Sequence, residues 1–215
     1  MKQYQSIKEK TEIEIIIKKS KFIGFLIPVD SEDNAVKALE EIRKNHKDAN
    51  HNCFAIKLGP GGEFQKCSDD GEPQGTAGKP ILEILNKENI TNVLAVVTRY
   101  FGGVKLGTGG LIRAYSQTVK EALKASEIII SEIYWEAKLS VDYKDLESIK
   151  NALLNDDIII KEINYMENVI LNILIPVEFK EMTHNKIVDI TCGKNEIIFI
   201  KKIFWEGSSF NPKLS

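Results

Sequence analysis

Apolar residues along this chain recur in two rhythms, every second residue and every third or fourth, and the two alternate. Isoleucine-rich runs over 11–18 and 21–27, broken at Ser20, predict two paired strands. Ser31 is placed to cap a helix in which Ala35, Val36, Leu39 and Ile42 share one face and charged residues the other. A strand over 50–58 follows, and Gly59-Pro60-Gly61-Gly62 turns the chain into a short strand around Phe64. Residues 76–85 predict a helix entered through Gly78-Lys79-Pro80, because proline is tolerated in a first turn whose N–H groups lack helical partners. The mostly apolar run 90–99 predicts a central strand. A glycine-rich loop over 102–110 follows it, and then a helix over 111–125 with Leu111, Tyr115, Val119 and Leu123 on one face.

Past about residue 126 the pattern restarts. Strand 134–141, helix 144–154, strands 158–164 and 169–177, helix 178–190 and strand 196–204 give the order βαββαβ, a ferredoxin-like unit of about 75 residues. The fold class expected is therefore α+β in two domains, 1–130 and 131–207, joined by a short exposed linker, with 208–215 as a tail.

Composition changes this picture little. Of 215 residues, 43% are hydrophobic and 28% charged, which places the chain among folded globular proteins rather than disordered ones. No run approaches the roughly 18 apolar residues of a membrane span, and the first residues lack a signal-peptide core, so a cytoplasmic protein is expected. The three cysteines, Cys53, Cys67 and Cys192, are odd in number and lack CxxC spacing, which argues for reduced thiols. Net charge is −2, and residues 1–130 carry 19 Lys+Arg against 17 Asp+Glu. With no global basic field, any contact with nucleic acid has to come from a local patch.

Three segments concentrate chemistry. In the third, strand, glycine loop and helix follow one another, and five glycines fall within 102–110: Gly102, Gly103, Gly107, Gly109 and Gly110. Such a loop points unpaired N–H groups outward at a helix N-terminus, which suits an anion, and Lys105 with the flanking Arg99 and Arg113 adds positive charge. A tight strand-to-helix turn alone accounts for the same glycines. The spacing fails both nucleotide motifs, since Thr108 stands where a P-loop has lysine and Gly107-Thr108-Gly109 lacks the third glycine of GxGxxG. In the second segment Asp69, Asp70 and Glu72 precede Gly75-Thr76-Ala77-Gly78-Lys79. These carboxylates either hold a hard cation such as Mg²⁺ or cap the following helix. In the first segment His51 and Cys53 share a strand face. Parallel i, i+2 side chains seldom converge on one proton, so no nucleophilic pair and no catalytic residue is expected there. Trp135 and Trp205 are expected in or near the second core.

The run SDDGEPQGTAGKPIL, followed at a distance by VVTRYFGGVKLGTGGLIRAY, resembles the signature pair of the YigZ/IMPACT family, and KKSKFIGF and HNCFAIKLG resemble its two earlier landmarks. The likeness covers most of residues 15–125. Many members carry two adjacent histidines before the cysteine, where this chain has His51 and Asn52. The resemblance implies a first domain with the fold of ribosomal protein S5 domain 2 and a second, ferredoxin-like one similar to the C-terminal domain of elongation factor G. It also implies translation regulation through RNA, the ribosome or a translation factor.

Two functions are thus expected in competition. The first is a monomeric, cofactor-free binding module that engages RNA or a translation partner through Arg99, Gly102, Gly103, Lys105, Gly107, Gly109, Gly110, Arg113, Lys79 and His51. The alternative is a Mg²⁺-dependent phosphoryl-transfer or hydrolytic enzyme using Asp69, Asp70 and Glu72.

Overall fold

The structure is a computed structural model describing residues 3–156, 158–195 and 197–206. The expected tail over 208–215 lies outside the described residues, as does residue 196, the expected start of the last strand. The chain forms two compact units, one chiefly of Gln3–Ser131 and the other of Glu132–Trp205.

In the first unit β2 (Thr11–Ile17), β3 (Ser20–Pro28), β4 (His51–Leu58), β5 (Phe64–Ser68) and β6 (Val93–Tyr100) make a sheet ordered β2-β3-β6-β4-β5. Every neighbouring pair is antiparallel. The central strand β6 reads as a continuous apolar run because both its faces are covered. Leu94 and Val96 pack toward α1 (Glu32–Asn45), while Val93, Ala95 and Val97 pack toward α2 (Gly78–Lys87) and α3 (Thr108–Ala125). Ser31 caps α1 by accepting from the Asn34 N–H. Val36, expected on the buried face of α1, is instead exposed, and Ala35, Leu39 and Ile42 carry that contact.

The second unit takes up β7 (Ile128–Val141), α4 (Leu146–Asn155), β8 (Ile159–Tyr165), β9 (Val169–Pro176), a 3₁₀ turn over Val177–Phe179, α5 (Lys180–Ile190) and β10 (Ile197–Glu206). Its sheet runs β10-β7-β9-β8, which with the βαββαβ order is the ferredoxin-like arrangement. Ala137, Leu139 and Val141 of β7, Leu171 and Ile173 of β9, and Ile149 and Ile187 of the two helices form its core, with Trp135 packed against it.

Three features depart from expectation. A strand β1 (Gln3–Ile7) precedes the first predicted one and pairs with β7. Helix α3 starts at Thr108, taking Gly109 and Gly110 into its first turn. Finally, β7 begins at Ile128, earlier than the strand expected from 134. No described helix is long and apolar enough to cross a membrane.

Candidate functional site

The register of β6 against its neighbours builds the floor of the site. Arg99, near the end of β6, lies opposite His51 of β4 on one side and Phe22 of β3 on the other. It shares a face with Val97, so its side chain goes under the helical layer of α2 and α3. There the guanidinium meets Glu72, at 2.5 Å between Nη1 and Oε1, and both side chains are more than nine-tenths buried. The Tyr115 hydroxyl of α3 donates to the same carboxylate oxygen at 2.8 Å. Arg99 Nη2 reaches Ser20 Oγ at 3.5 Å, and its Nε–H has no partner among the described residues. The rings of Phe22 and Phe101 lie 5.4 and 5.6 Å from the guanidinium carbon.

Above this pair opens a cleft of about 440 Å³, lined by Asn50, His51, Glu72, Pro73, Arg99, Phe101, Lys105, Leu106, Gly107, Thr108 and Leu111. Two glycines shape its rim. Gly102 packs so closely on the turn between β2 and β3 that any Cβ would collide with the Lys19 carbonyl, and its N–H donates to Ser20 Oγ at 3.2 Å. Gly107 holds φ +73° at the entry to α3, a conformation that costs an L side chain strain. Helix α3 therefore begins at the cleft with no side-chain cap and no acidic residue in its first turn, leaving its first N–H groups without intrahelical acceptors. Lys105 is exposed beside them and has no ion-pair partner among the described residues. The Arg113 guanidinium folds back over the same turn, Nη1 lying 3.8 Å from where a Gly109 Cβ would stand.

His51 is held in one orientation. Its Nδ1 lies 2.8 Å from the Asp70 carbonyl oxygen, which only accepts, so Nδ1 carries the proton. In the neutral imidazole this makes Nε2 an acceptor, and Nε2 lines the cleft 3.9 Å from Glu72 Oε1. Asn50 positions the cleft's aromatic wall by accepting from the Phe101 N–H at 2.7 Å.

The three carboxylates, read from the sequence as either Mg²⁺ ligands or caps of the following helix, are all engaged by protein donors. Asp69 accepts from the N–H groups of Gly75, Ala77 and Gly78 at 2.8, 3.0 and 2.8 Å. Burial raises its pKa, but these three bonds together outweigh burial and hold it below the ordinary carboxylate value. Asp70 accepts from the Asn52 N–H at 2.6 Å and from Arg43 at 3.0 Å, and Glu72 is taken up by Arg99 and Tyr115. Among the described residues no group of three or more His, Cys, Asp or Glu side chains converges as metal ligands. These carboxylates brace the loop over 69–78 and the buried arginine.

Of the residues singled out in the sequence, His51, Arg99, Lys105 and Gly107 line one cleft, and Glu72 joins them as partner to Arg99. Gly102 and Gly103 lie in the loop leading to it, and Gly109, Gly110 and Arg113 in the start of α3. Lys79 stands apart on α2, 3.9 Å from Glu83 one turn on. Asn50, Pro73, Phe101, Leu106, Thr108 and Leu111 were not foreseen as cleft residues, nor Tyr115 as part of its floor. Tyr115 carried a legible signal, since a tyrosine on the buried face of a helix needs a partner for its hydroxyl. Cys53 is fully buried, its Sγ–H donating to the Asp69 carbonyl at 2.9 Å. Burial pushes the thiol up to about 12, the Tyr115 hydroxyl opposes the shift, and the charges of Glu72, Asp70 and Asp69 add to it.

The family model described as the Impact N-terminal domain matches residues 18–123, and the domain of unknown function DUF1949 matches 139–194. The chain is similar to the IMPACT family member YvyE of Bacillus subtilis (strain 168), 41% identical over 90% of this chain and 89% of that protein. IMPACT family member YigZ of Escherichia coli (strain K12) is 36% identical over 86% and 92%. Protein IMPACT of Homo sapiens is 33% identical, over 44% of this chain and 31% of its own length. A crystal structure described only as that of an hypothetical protein superposes with a TM-score of 0.62 at 33% identity, covering 94% of this chain and 98% of the other. With a domain model matched in each unit and bacterial relatives aligned along most of its length, the chain belongs to the YigZ/IMPACT family.

Proposed function

We propose that the first unit is an RNA-binding module acting in translation, and that the cleft takes a backbone phosphate. One observation carries this reading: the uncapped N-terminus of α3 opens on a cleft beside Lys105, whose charge has no partner among the described residues. A phosphate there accepts from the first-turn N–H groups, gains from the positive end of the helix dipole, and pairs with Lys105. Arg113 extends the positive charge along the rim. Arg99 contributes differently from the sequence expectation. Its charge is balanced by Glu72, so it braces the floor and is not a free cation, and its buried Nε–H has no partner among the described residues. Net charge outside the cleft does little to attract an anion, which makes the local patch decisive.

The test is fluorescence anisotropy of a short single-stranded oligoribonucleotide with wild type, Lys105→Glu and Lys79→Glu. Lys105→Glu weakens binding by tenfold or more, and Lys79→Glu, outside the cleft, leaves it unchanged. Equal effects of the two variants, or none, overturn the phosphate site. The translation link draws on the family resemblance. Its own test is co-sedimentation with ribosomes, where failure of the wild-type chain to sediment removes that link.

A further inference from the structure

The cleft holds three kinds of group in one small space: a phosphate cradle at α3 and Lys105, an acceptor nitrogen on His51, and the exposed ring of Phe101. The acceptor distinguishes it from a plain anion site. A phosphate has no hydrogen to give to the Nε2 of a neutral imidazole, whereas a hydroxyl has. In the neutral imidazole the Asp70 carbonyl fixes the tautomer that leaves Nε2 without a proton, and Glu72, 3.9 Å from it, is already engaged by Arg99 and Tyr115. The side chain of His51 is 24% exposed, so a ligand can reach it. Phe101 is 47% exposed although large and apolar, and its N–H is tied to Asn50, which keeps the ring at the mouth. Beneath it lies Arg99, more than nine-tenths buried and with its Nε–H unpartnered among the described residues.

Resting on the phosphate reading above, we infer that this cleft selects a ribonucleotide over a deoxyribonucleotide. The phosphate lies on the first turn of α3 and Lys105, the ribose 2′-hydroxyl donates to His51 Nε2, and the base packs on Phe101. The 2′-hydroxyl is the group by which a protein tells RNA from DNA, and stacking on an aromatic ring tolerates any base. The ligand class is single-stranded RNA read by its sugar and backbone, with little dependence on sequence.

Changing the ligand avoids any doubt about folding. Anisotropy titrations at one salt concentration compare a mixed-sequence RNA oligonucleotide with its DNA and 2′-O-methyl counterparts. Wild type binds the RNA about tenfold more tightly than either, the scale of one hydrogen bond made on binding. His51→Ala brings the three affinities together, and Phe101→Ala weakens all three alike. Equal wild-type affinity for all three, with dependence on Lys105 retained, overturns the ribose inference and leaves the phosphate site standing. Loss of Lys105 dependence as well overturns both.

Discussion

Glu72 and Arg99 form an ion pair of 2.5 Å with both side chains more than nine-tenths buried, 27 positions apart in the chain. The pair ties the loop after β5 to the end of β6, and Tyr115 extends the tie to α3. Removing one partner leaves a buried charge without compensation, which costs far more than an intact pair contributes. Glu72→Gln therefore destabilises the first unit by about 3–5 kcal/mol, read from urea unfolding. A change under about 1 kcal/mol shows that solvent reaches the arginine and that the floor is not dry.

Cys53 gives the account an alkaline signature. Its folded pKa is raised to about 12, chiefly by burial, and burial likewise raises that of Tyr115 above its ordinary value. For a group whose pKa is raised on folding, the native state binds the proton more tightly. The stabilisation is complete below the unfolded thiol pKa of about 8.5 and is lost as pH rises toward 12. Unfolding free energy falls across that window by up to about 1.4 kcal/mol per pH unit for the thiol. Cys53→Ala flattens the fall, and an unchanged profile in that variant contradicts the buried-thiol geometry.

Asp69 acts at the other end of the pH scale. Burial raises its pKa, the bonds from Gly75, Gly78 and Ala77 lower it further than burial raises it, and the net direction is down. Its contribution is present above the unfolded value of about 3.9 and disappears as pH falls through the lower folded value. Asp69→Asn leaves part of this donor set unsatisfied and costs about 1–3 kcal/mol at neutral pH, with a shallower acid transition than wild type. Thermal melts from pH 2 to 7 check both. A variant that melts with the wild-type acid dependence excludes Asp69 as the loop's anchor.

Much of this architecture was legible in the chain. The double-sided apolar run of β6 and the alternation in β2 predict their places because burial on one or two faces imposes those patterns. Strand β1 was not legible. Gln3-Tyr4-Gln5-Ser6-Ile7 is polar, and the burial of Ser6 and Ile7 comes from tertiary packing that periodicity does not encode. The start of α3 was missed because glycine has low helix propensity, while Gly107 at positive φ lets the helix begin at once. Of the residues the sequence singles out, His51, Arg99, Lys105 and Gly107 do line one cleft. For Asp69, Asp70 and Glu72 the sequence left a cation role and a helix-capping role open, because a carboxylate's function depends on which donors face it, and these come from β4, β6, α3 and the loop's own backbone.

The central claim is that Lys105 and the first turn of α3 hold an RNA phosphate, and the salt dependence of binding tests it most directly. Each phosphate neutralised on a single strand contributes about 0.7 to the slope of log K against log salt. Lys105→Gln deletes one cation at an exposed position, where substitutions usually shift stability by no more than about 0.5 kcal/mol. Titrating single-stranded RNA binding from low to physiological salt, the account predicts a slope for Lys105→Gln about 0.7 shallower than for wild type, with the melting temperature unchanged. Parallel lines for the two proteins contradict it and reduce the glycine loop to a turn.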